Sequence, residues 1–219
     1  MYNKNDNKAI KGGGILKKTI IIISFIVFLL TVSVCFAEGD QSVYDRAKSL
    51  YENKQYYEAH KLFIQSQYGD WERMANKCVR PWPKNGEIYH DSSEWLRDTQ
   101  LTFKVDQPAD TAVFIRVYKV ENKSEKPVSY VFIGGSDEVT IYLPGNSTYT
   151  IRDGVGSNWY GEVDTFGAEG AYETMLFGRN EEETYYFEQK LDYTITINVE
   201  DVIGEEVGSE DAEWKSFTE

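Results

Sequence analysis

Nine consecutive residues, Leu191-Asp-Tyr-Thr-Ile-Thr-Ile-Asn-Val199, decide the fold class of most of this chain. Apolar side chains occupy every second position of this stretch, and polar side chains occupy the positions between them. Successive side chains of a strand point to opposite faces of a sheet. The pattern therefore predicts a half-buried β-strand, with one face in a core and the other in solvent.

The same alternation recurs upstream and extends the β-rich region over residues 99–200. Four further stretches carry it: 101–105, 113–117, 139–143 and 149–151. Turn-forming residues separate them, as at Pro144-Gly145-Asn146. Many short strands with closely spaced turns are typical of an antiparallel sandwich, here of about seven to eight strands.

One of these turns, with the strand after it, carries a family resemblance. Residues 143–151, Leu-Pro-Gly-Asn-Ser-Thr-Tyr-Thr-Ile, resemble the Leu-Pro-x-Gly turn and Tyr-x-Ile strand of prealbumin-like and Cna-B-like modules of bacterial surface proteins. The resemblance implies a sandwich with a surface role. Some Cna-B-like modules also form a Lys–Asn isopeptide bond, for which it suggests Lys104, Lys119 and Asn198. Alternation turns Lys104 and Asn198 outward, away from the core that this bond requires.

Residues 38–80 have the period of helices instead. Three groups of apolar residues repeat at helical spacing: Val43, Ala47, Leu50 and Tyr51; then Tyr56, Ala59, Leu62 and Phe63; then Trp71, Met74, Ala75 and Cys78. The spacing predicts a helical hairpin followed by a third short helix. Because Cys78 lies on an apolar face, we expect a buried, inert thiol.

The hairpin resembles one tetratricopeptide repeat. The resemblance rests on Ala47, Leu50 and the pattern Tyr56-x-x-Ala59-x-x-x-Phe63, although Arg46 stands where the repeat prefers leucine. Three or more such repeats are normally needed to bury a continuous core. One and a half copies therefore imply that the hairpin either packs on the following domain or self-associates. The family often binds protein segments.

Two segments connect or follow these domains. Residues 81–98 begin with Pro-Trp-Pro and show no regular period, so we expect an irregular joint whose aromatic side chains pack between the domains. Residues 201–219 are rich in Glu, Asp and Gly, which is typical of a flexible acidic tail. The predicted fold class is α+β in separate domains.

Residues 1–37 have the composition of a secretory signal peptide. Five lysines precede an apolar run from Ile20 to Ala37, with small residues before the expected cut. The run is also close to the ~20 residues that span a bilayer, so an uncleaved anchor is the alternative. Under either reading residues 38–219 are extracellular or at the cell surface. The chain contacts a membrane only through this segment, if it is not cleaved.

The chain is acidic, with a formal net charge of −13 over 219 residues. Removing residues 1–37 takes away five of 23 basic and one of 36 acidic residues, which leaves 18 against 35. Such a surface repels nucleic acid and anionic lipid. Cys78 would be the one cysteine left, so no internal disulfide is expected. The lack of disulfides and the Asn/Lys/Ile-rich start favour a bacterial protein.

A glycine-rich stretch at residues 153–170 is the loop most expected to have a function, because loops of this length in a compact domain are usually functional or disordered and its aromatic residues argue against disorder. Its aromatic residues form either a structural cap over the sandwich or an exposed platform for a sugar or a protein: Trp159, Tyr160 and Phe166. Its carboxylates are the oxygen ligands that Ca²⁺ prefers: Asp153, Glu162, Asp164 and Glu169.

These features favour a protein without catalytic activity. The chain shows no plausible catalytic triad, redox pair or nucleotide loop. The first hypothesis is an exported binding or scaffold protein that acts on an unknown protein partner. The alternative is a carbohydrate- or calcium-dependent module that binds a cell-wall glycan through residues 153–170. An enzyme that uses paired carboxylates, such as Glu162 with Asp164 or Glu169, is the third.

Overall fold

The computed structural model describes residues 39–94, 96–178 and 181–199. The predictions for the signal peptide or anchor at 1–37 and for the tail at 201–219 fall outside these residues, as does Trp95 of the joint. Within the described ranges, no helix combines the length and the apolar character needed to cross a membrane.

In the described part of the chain, three helices precede nine strands. The helices are α1 (Gln41–Glu52), α2 (Tyr56–Ser66) and α3 (Trp71–Cys78). The strands are β1 (Gly86–His90), β2 (Thr99–Asp106), β3 (Ala112–Glu121), β4 (Ser124–Gly134), β5 (Asp137–Leu143), β6 (Ser147–Gly156), β7 (Ala171–Thr174), β8 (Tyr185–Phe187) and β9 (Asp192–Asn198). A 3₁₀ helix at Gly167–Glu169 precedes β7. This order confirms the coarse α+β class.

The helices use the apolar faces that their periods predict. Their buried cluster contains Ala47, Ala59, Phe63, Ala75 and Cys78. Cys78 is fully buried, and burial raises the pKa of its thiol to about 12. The thiol therefore stays protonated near neutral pH, as expected of a packing residue.

The strands form two sheets. The large sheet has the order β1-β4-β3-β6-β7, and β8 pairs with the first part of β6. The small sheet has the order β5-β2-β9. All named pairs are antiparallel except β2 with β9, which are parallel. The prediction of a wholly antiparallel arrangement is therefore wrong for this pair.

Sequence alternation located β2, β3, β5, β6 and β9 but not β1, β4, β7 and β8. β1 lies in the segment expected to be irregular, and β4 contains Pro127 in a stretch interpreted as a break. Pro127 is tolerated because the register between β3 and β4 shifts at this point. Proline has no backbone N–H to donate, and such an irregularity in the ladder does not require one.

The two sheets enclose an apolar core in a sandwich-like arrangement. Both sheets contribute buried side chains to it, among them Leu101, Phe103, Val113, Ile115, Val131, Ile141, Tyr149 and Ile151. Tyr193 and Ile195 of β9 pack against this core but are only half-buried. Of the other predicted inward positions, Ile197 and Val199 are buried in the core, whereas Leu191 is 45% exposed and precedes the strand.

Part of the outer face of the large sheet is also covered. On β3 the side chains from Ala112 to Tyr118 are all buried, on both faces of the strand. Phe114 and Phe132 on the outer face pack with Trp159 and Phe166. The segment that covers them also contacts the helices, and the described residues from Gln41 onward lie in one compact unit. The domain boundaries proposed from sequence stay predictions.

Candidate functional site

The glycine-rich loop is shorter than its sequence suggests. β6 extends to Gly156 because residues 153–156 pair with β3, and residues 153–155 also pair with β7. The irregular segment therefore begins at Ser157.

The aromatic rings of this loop are inside the protein. Trp159, Tyr160 and Phe166 are 3%, 1% and 1% exposed. The Trp159 ring lies edge-on to Phe114 and to Phe132, with ring centroids 5.1 Å apart in each pair. These contacts attach the loop to the outer face of the large sheet.

Tyr160 points to the helices instead. Its ring centroid is 5.2 Å from that of Tyr57 and 5.4 Å from that of His60, both on α2. The backbone N–H of Arg80 donates to the carbonyl of Trp159 at 2.7 Å. The loop thus lies between helices and sheet. Its burial agrees with the structural-cap alternative, and ligand binding by these rings stays a prediction that requires their covered faces to open.

Two glycines of the loop region make this packing possible. Gly167 has φ +67°, and a Cβ added there would lie 2.2 Å from the ring of Tyr57. A Cβ added at Gly156 would lie 2.6 Å from Phe166. The glycine content therefore follows from the close approach of aromatic rings to the backbone.

Asp164 caps a helix from a distant part of the chain. The backbone N–H of Tyr57, at the start of α2, donates to Asp164 Oδ2 at 3.0 Å. Gln55, at the N-cap position, makes no side-chain bond of this kind. Burial raises the pKa of Asp164, while the N–H groups of Tyr57 and Tyr56 oppose that rise. A carboxylate at a helix N-terminus stabilises both the free N–H groups and the helix dipole.

The other predicted metal ligands have different surroundings. Asp153 is fully buried, and burial raises its pKa well above the ordinary value. Glu162 accepts a hydrogen bond from Arg116 through its backbone carbonyl, and Glu169 ends the 3₁₀ helix. Over residues 39–94, 96–178 and 181–199, no three His, Cys, Asp or Glu side chains form a group that could hold a metal ion. The arrangement therefore gives the calcium prediction no support.

An open groove of about 420 Å³ lies on the outer face of the large sheet, beside the loop. Its lining comes from β3, β4, β6 and the loop: Arg116, Tyr118, Glu125, Pro127, Tyr130, Arg152, Glu162 and Val163. We call these eight residues the arginine groove. Glu162, one of the predicted metal ligands, lines this groove. The other lining residues were not selected from the sequence as site residues.

Two arginines are the distinctive feature of the arginine groove. Arg116 of β3 and Arg152 of β6 lie directly opposite each other in the antiparallel register. Like charges in this relation are destabilising. Each guanidinium is therefore held by neighbours: that of Arg116 lies 5.3 Å from the ring centroid of Tyr130, and that of Arg152 lies 4.9 Å from the ring centroid of Tyr118. Arg152 also forms an ion pair with Glu125 at 2.7 Å.

One sequence signal could have indicated this groove. Arg116 and Tyr118 occupy alternate positions of the predicted strand at 113–117 and its continuation, on the face opposite to the core. Alternation alone assigns such residues to solvent. The partner Arg152 follows Ile151 in another strand, and only the register between β3 and β6 brings the two guanidiniums together.

Comparison with protein-family models, with curated proteins and with solved structures found no match for this chain. The coarse architecture, helices followed by a sandwich-like pair of sheets, is what the structure establishes. Function is therefore inferred from the arginine groove and from the packing around it.

Proposed function

We propose that this chain is a non-catalytic exported or cell-surface binding and scaffold protein, which acts through protein–protein interaction at the arginine groove. The observation that carries the proposal is the guanidinium of Arg152 in an open surface groove, directly opposite the largely buried Arg116 in the antiparallel register. Arg116 holds the loop through its hydrogen bond to the carbonyl of Glu162. A ligand that enters the groove would contact the guanidinium of Arg152.

The residue types in the groove support a protein partner. Arginine and tyrosine are enriched at the centres of protein interfaces, where they contribute most of the binding energy. Stacking on Tyr118 and Tyr130 restricts the two guanidiniums before a partner arrives, so less side-chain freedom is lost on binding. The loop contributes Val163, which is 67% exposed and extends the groove with an apolar contact.

The ion pair of Arg152 with Glu125 indicates what the partner presents. A carboxylate already fits one guanidinium, so an acidic side chain of the partner would be bound by the same geometry. The net charge of −13 repels partners that are acidic overall. We therefore propose a neutral or basic protein that presents a local carboxylate.

The proposal also includes the N-terminal export segment and the two family resemblances. A signal peptide or anchor at residues 1–37 would place the groove outside the cytoplasmic membrane. A tetratricopeptide-like hairpin and a Cna-B-like sandwich are both interaction modules in their families, which agrees with a scaffold role.

The test compares two variants that each remove one cation of a surface ion pair. Arg152→Ala removes the pair with Glu125 in the groove, and Lys104→Ala removes the pair with Glu138, at 3.1 Å, on the other sheet. The immobilised full chain is incubated with extracellular protein of the producing cells. We expect a saturable partner that the wild type and Lys104→Ala retain equally and that Arg152→Ala binds at least about tenfold more weakly, a difference of ~1.4 kcal/mol. Equal retention by both variants, or no saturable partner, contradicts the proposal.

The lining of the groove also favours a second candidate, a cell-wall glycan. Tyrosine rings beside arginine and glutamate side chains offer the apolar faces and the hydrogen-bonding groups that a sugar needs. Thermal unfolding with soluble cell-wall sugars tests it, since a ligand of the folded state must raise the melting temperature. An increase in melting temperature that Tyr130→Ala abolishes supports glycan binding in the groove. An increase that a chelator abolishes supports glycan binding that depends on calcium. A flat response rules out the sugars used.

A further inference from the structure

The buried carboxyl of Asp153 lies directly beside a second carboxyl on a short strand. Asp153 of β6 and Glu173 of β7 are opposite each other in the antiparallel register. Directly opposed side chains of a sheet have Cβ atoms about 4.5–5.5 Å apart. Asp153 is fully buried, and within the described ranges neither of its carboxyl oxygens has a hydrogen-bond partner. Glu173 is exposed, so it loses its proton at a lower pH than Asp153 does.

The surroundings of Asp153 supply no compensating positive charge within the described part of the chain. Glu173 is the one charged group there that acts on Asp153. On the other side of β6, β3 places Ile115 opposite Asp153. Across the core, the small sheet contributes apolar side chains and Tyr193. An ionised Asp153 would therefore face the carboxylate of Glu173 in surroundings of low dielectric constant, where like charges repel strongly.

The short strand β7 is the weakest barrier between Asp153 and water. It has four residues and ends the strand order of the large sheet. On the opposite side of β6, β3 pairs without interruption from Ala112 to Lys119. Short, peripheral segments open more readily than central strands. A charged Asp153 can therefore reach water by breaking the β6–β7 pairing, while the rest of both sheets stays formed.

The same strand holds the loop that covers the large sheet. Glu173 and Tyr172 are neighbours on β7, so their side chains point to opposite faces of the sheet. The hydroxyl of Tyr172 donates to the carbonyl of Gly167 at 2.8 Å and accepts from the backbone N–H of Phe166 at 3.2 Å. It also lies 2.8 Å from the hydroxyl of Thr165. β7 thus carries the repelled carboxyl on one face and the anchor of the loop on the other.

We propose that β7 is a pH-sensitive latch on this loop. When Asp153 ionises against Glu173, β7 separates from β6, and the loop at residues 157–170 leaves the outer face of the large sheet with it. Trp159 and Phe166, which are buried in the closed state, then become accessible. When Asp153 is protonated, the latch is closed and the rings stay covered. The aromatic platform expected from the sequence therefore has a closed state and an open state.

The opening of the latch has a defined dependence on pH. Burial raises the pKa of Asp153 well above its ordinary value in the closed state. In the open state the carboxyl is hydrated and has an ordinary pKa of about 3.9. Opening therefore releases one proton between these two pKa values, and the open fraction increases about tenfold for each pH unit in this window. Above the closed-state pKa the open fraction is constant.

Hydrogen exchange of the full-length chain from pH 5 to pH 9 measures this opening. The chain is kept in mild detergent with a chelator, so that no divalent cation shields the two carboxylates. After correction for the intrinsic exchange rates, we expect the protection of residues 157–174 to fall by up to about tenfold for each pH unit. We also expect it to be at least about 100-fold below that of β3, because the opening is local. Protection that is constant with pH, or equal in both segments, overturns the proposal.

Two substitutions test the carboxyls themselves. Asp153→Asn cannot ionise, so the protection of residues 157–174 should no longer depend on pH. Glu173→Gln, at an exposed position, removes the repulsion, so protection should stop falling at a lower pH and stay above that of the wild type at pH 9. Glu188→Gln, at an exposed position just after β8, is the matched control and should behave as the wild type. A pH dependence that Asp153→Asn retains, or equal profiles for Glu173→Gln and Glu188→Gln, overturns the proposal.

Tyr172→Phe tests the link between β7 and the loop. Without the hydroxyl the loop loses three contacts, so residues 157–167 should exchange at least about tenfold faster at pH 5, where the wild type is closed. Residues 171–174 should keep their pH dependence, because Asp153 and Glu173 are unchanged. Loop protection equal to that of the wild type overturns the link that the latch requires.

Discussion

The buried carboxyl of Asp153 is the residue with the strongest electrostatic conflict. It lies on β6 between Ile151 and Val155, which both point into the core between the sheets. Neither of its carboxyl oxygens has a hydrogen-bond partner within the described ranges. Burial raises its pKa, and the neighbouring carboxylate of Glu173 raises it further. A charged Asp153 would be costly in these surroundings, so burial favours the protonated form of its carboxyl.

This protonation makes the free energy of unfolding depend on pH. Because the folded pKa is raised above the unfolded value of about 3.9, the contribution of Asp153 to stability is fully present below that pH and is lost as pH rises through the folded pKa. Asp153→Asn removes this contribution. Between the unfolded and the folded pKa of Asp153, we expect the free energy of unfolding of the variant to increase relative to that of the wild type by up to about 1.4 kcal/mol for each pH unit. Urea unfolding of both proteins from pH 4 to pH 8 measures it, and a difference that is constant with pH contradicts it.

At the scale of elements, α2 depends on the loop for its N-terminal cap. Asp164 supplies the acceptor that Gln55 does not, across 107 positions of sequence. The same carboxylate was a predicted calcium ligand. The structure gives it a backbone partner on the helix, so the helix and the loop stabilise each other.

Asp164→Ala should lower the free energy of unfolding by about 1–2 kcal/mol, because the start of α2 loses its acceptor. Asp164→Asn, which keeps an acceptor oxygen, should lose less. Glu162→Ala is the matched control in the same loop, since its side chain caps no helix. Chemical denaturation with and without Ca²⁺ is the measurement. A loss for Asp164→Ala that appears only with Ca²⁺ would favour the metal site instead.

At the scale of the whole molecule, the loop joins two layers that the sequence assigns to separate domains. Trp159 contacts the outer face of the large sheet, and the adjacent Tyr160 contacts α2. Both rings are almost fully buried. We therefore expect the helices and the sheets to unfold together.

Trp159→Ala tests this coupling. Truncating a buried tryptophan typically costs about 3–5 kcal/mol. We expect the helical circular-dichroism signal and the tryptophan fluorescence to change in one transition, shifted to lower denaturant in the variant. Tyr186→Ala, at a position 52% exposed, should change the free energy of unfolding by less than about 0.5 kcal/mol. Two separate transitions in the wild type would support independent domains.

Local patterns accounted for part of the fold and for little of the site. Helical spacing identified the faces of α1, α2 and α3, because the period of apolar residues reports which side of an element is covered. β4 was missed because Pro127 signals a break in an isolated sequence, whereas a register shift accepts it. The arginine groove was missed because Arg116 and Arg152 belong to different strands, and their proximity is a property of the register.

The sequence by itself determined the periods: helices before strands, the apolar side of each element, and a thiol on a buried face. These features follow from backbone geometry, because the periods of helices and strands determine the spacing of apolar residues over short stretches of sequence. Only the tertiary structure decided that part of the outer face of the large sheet is covered, that Asp164 caps α2, and that the two arginines of the groove are neighbours. Those contacts join residues far apart in the chain, and local spacing carries no information about which distant element will cover an exposed position.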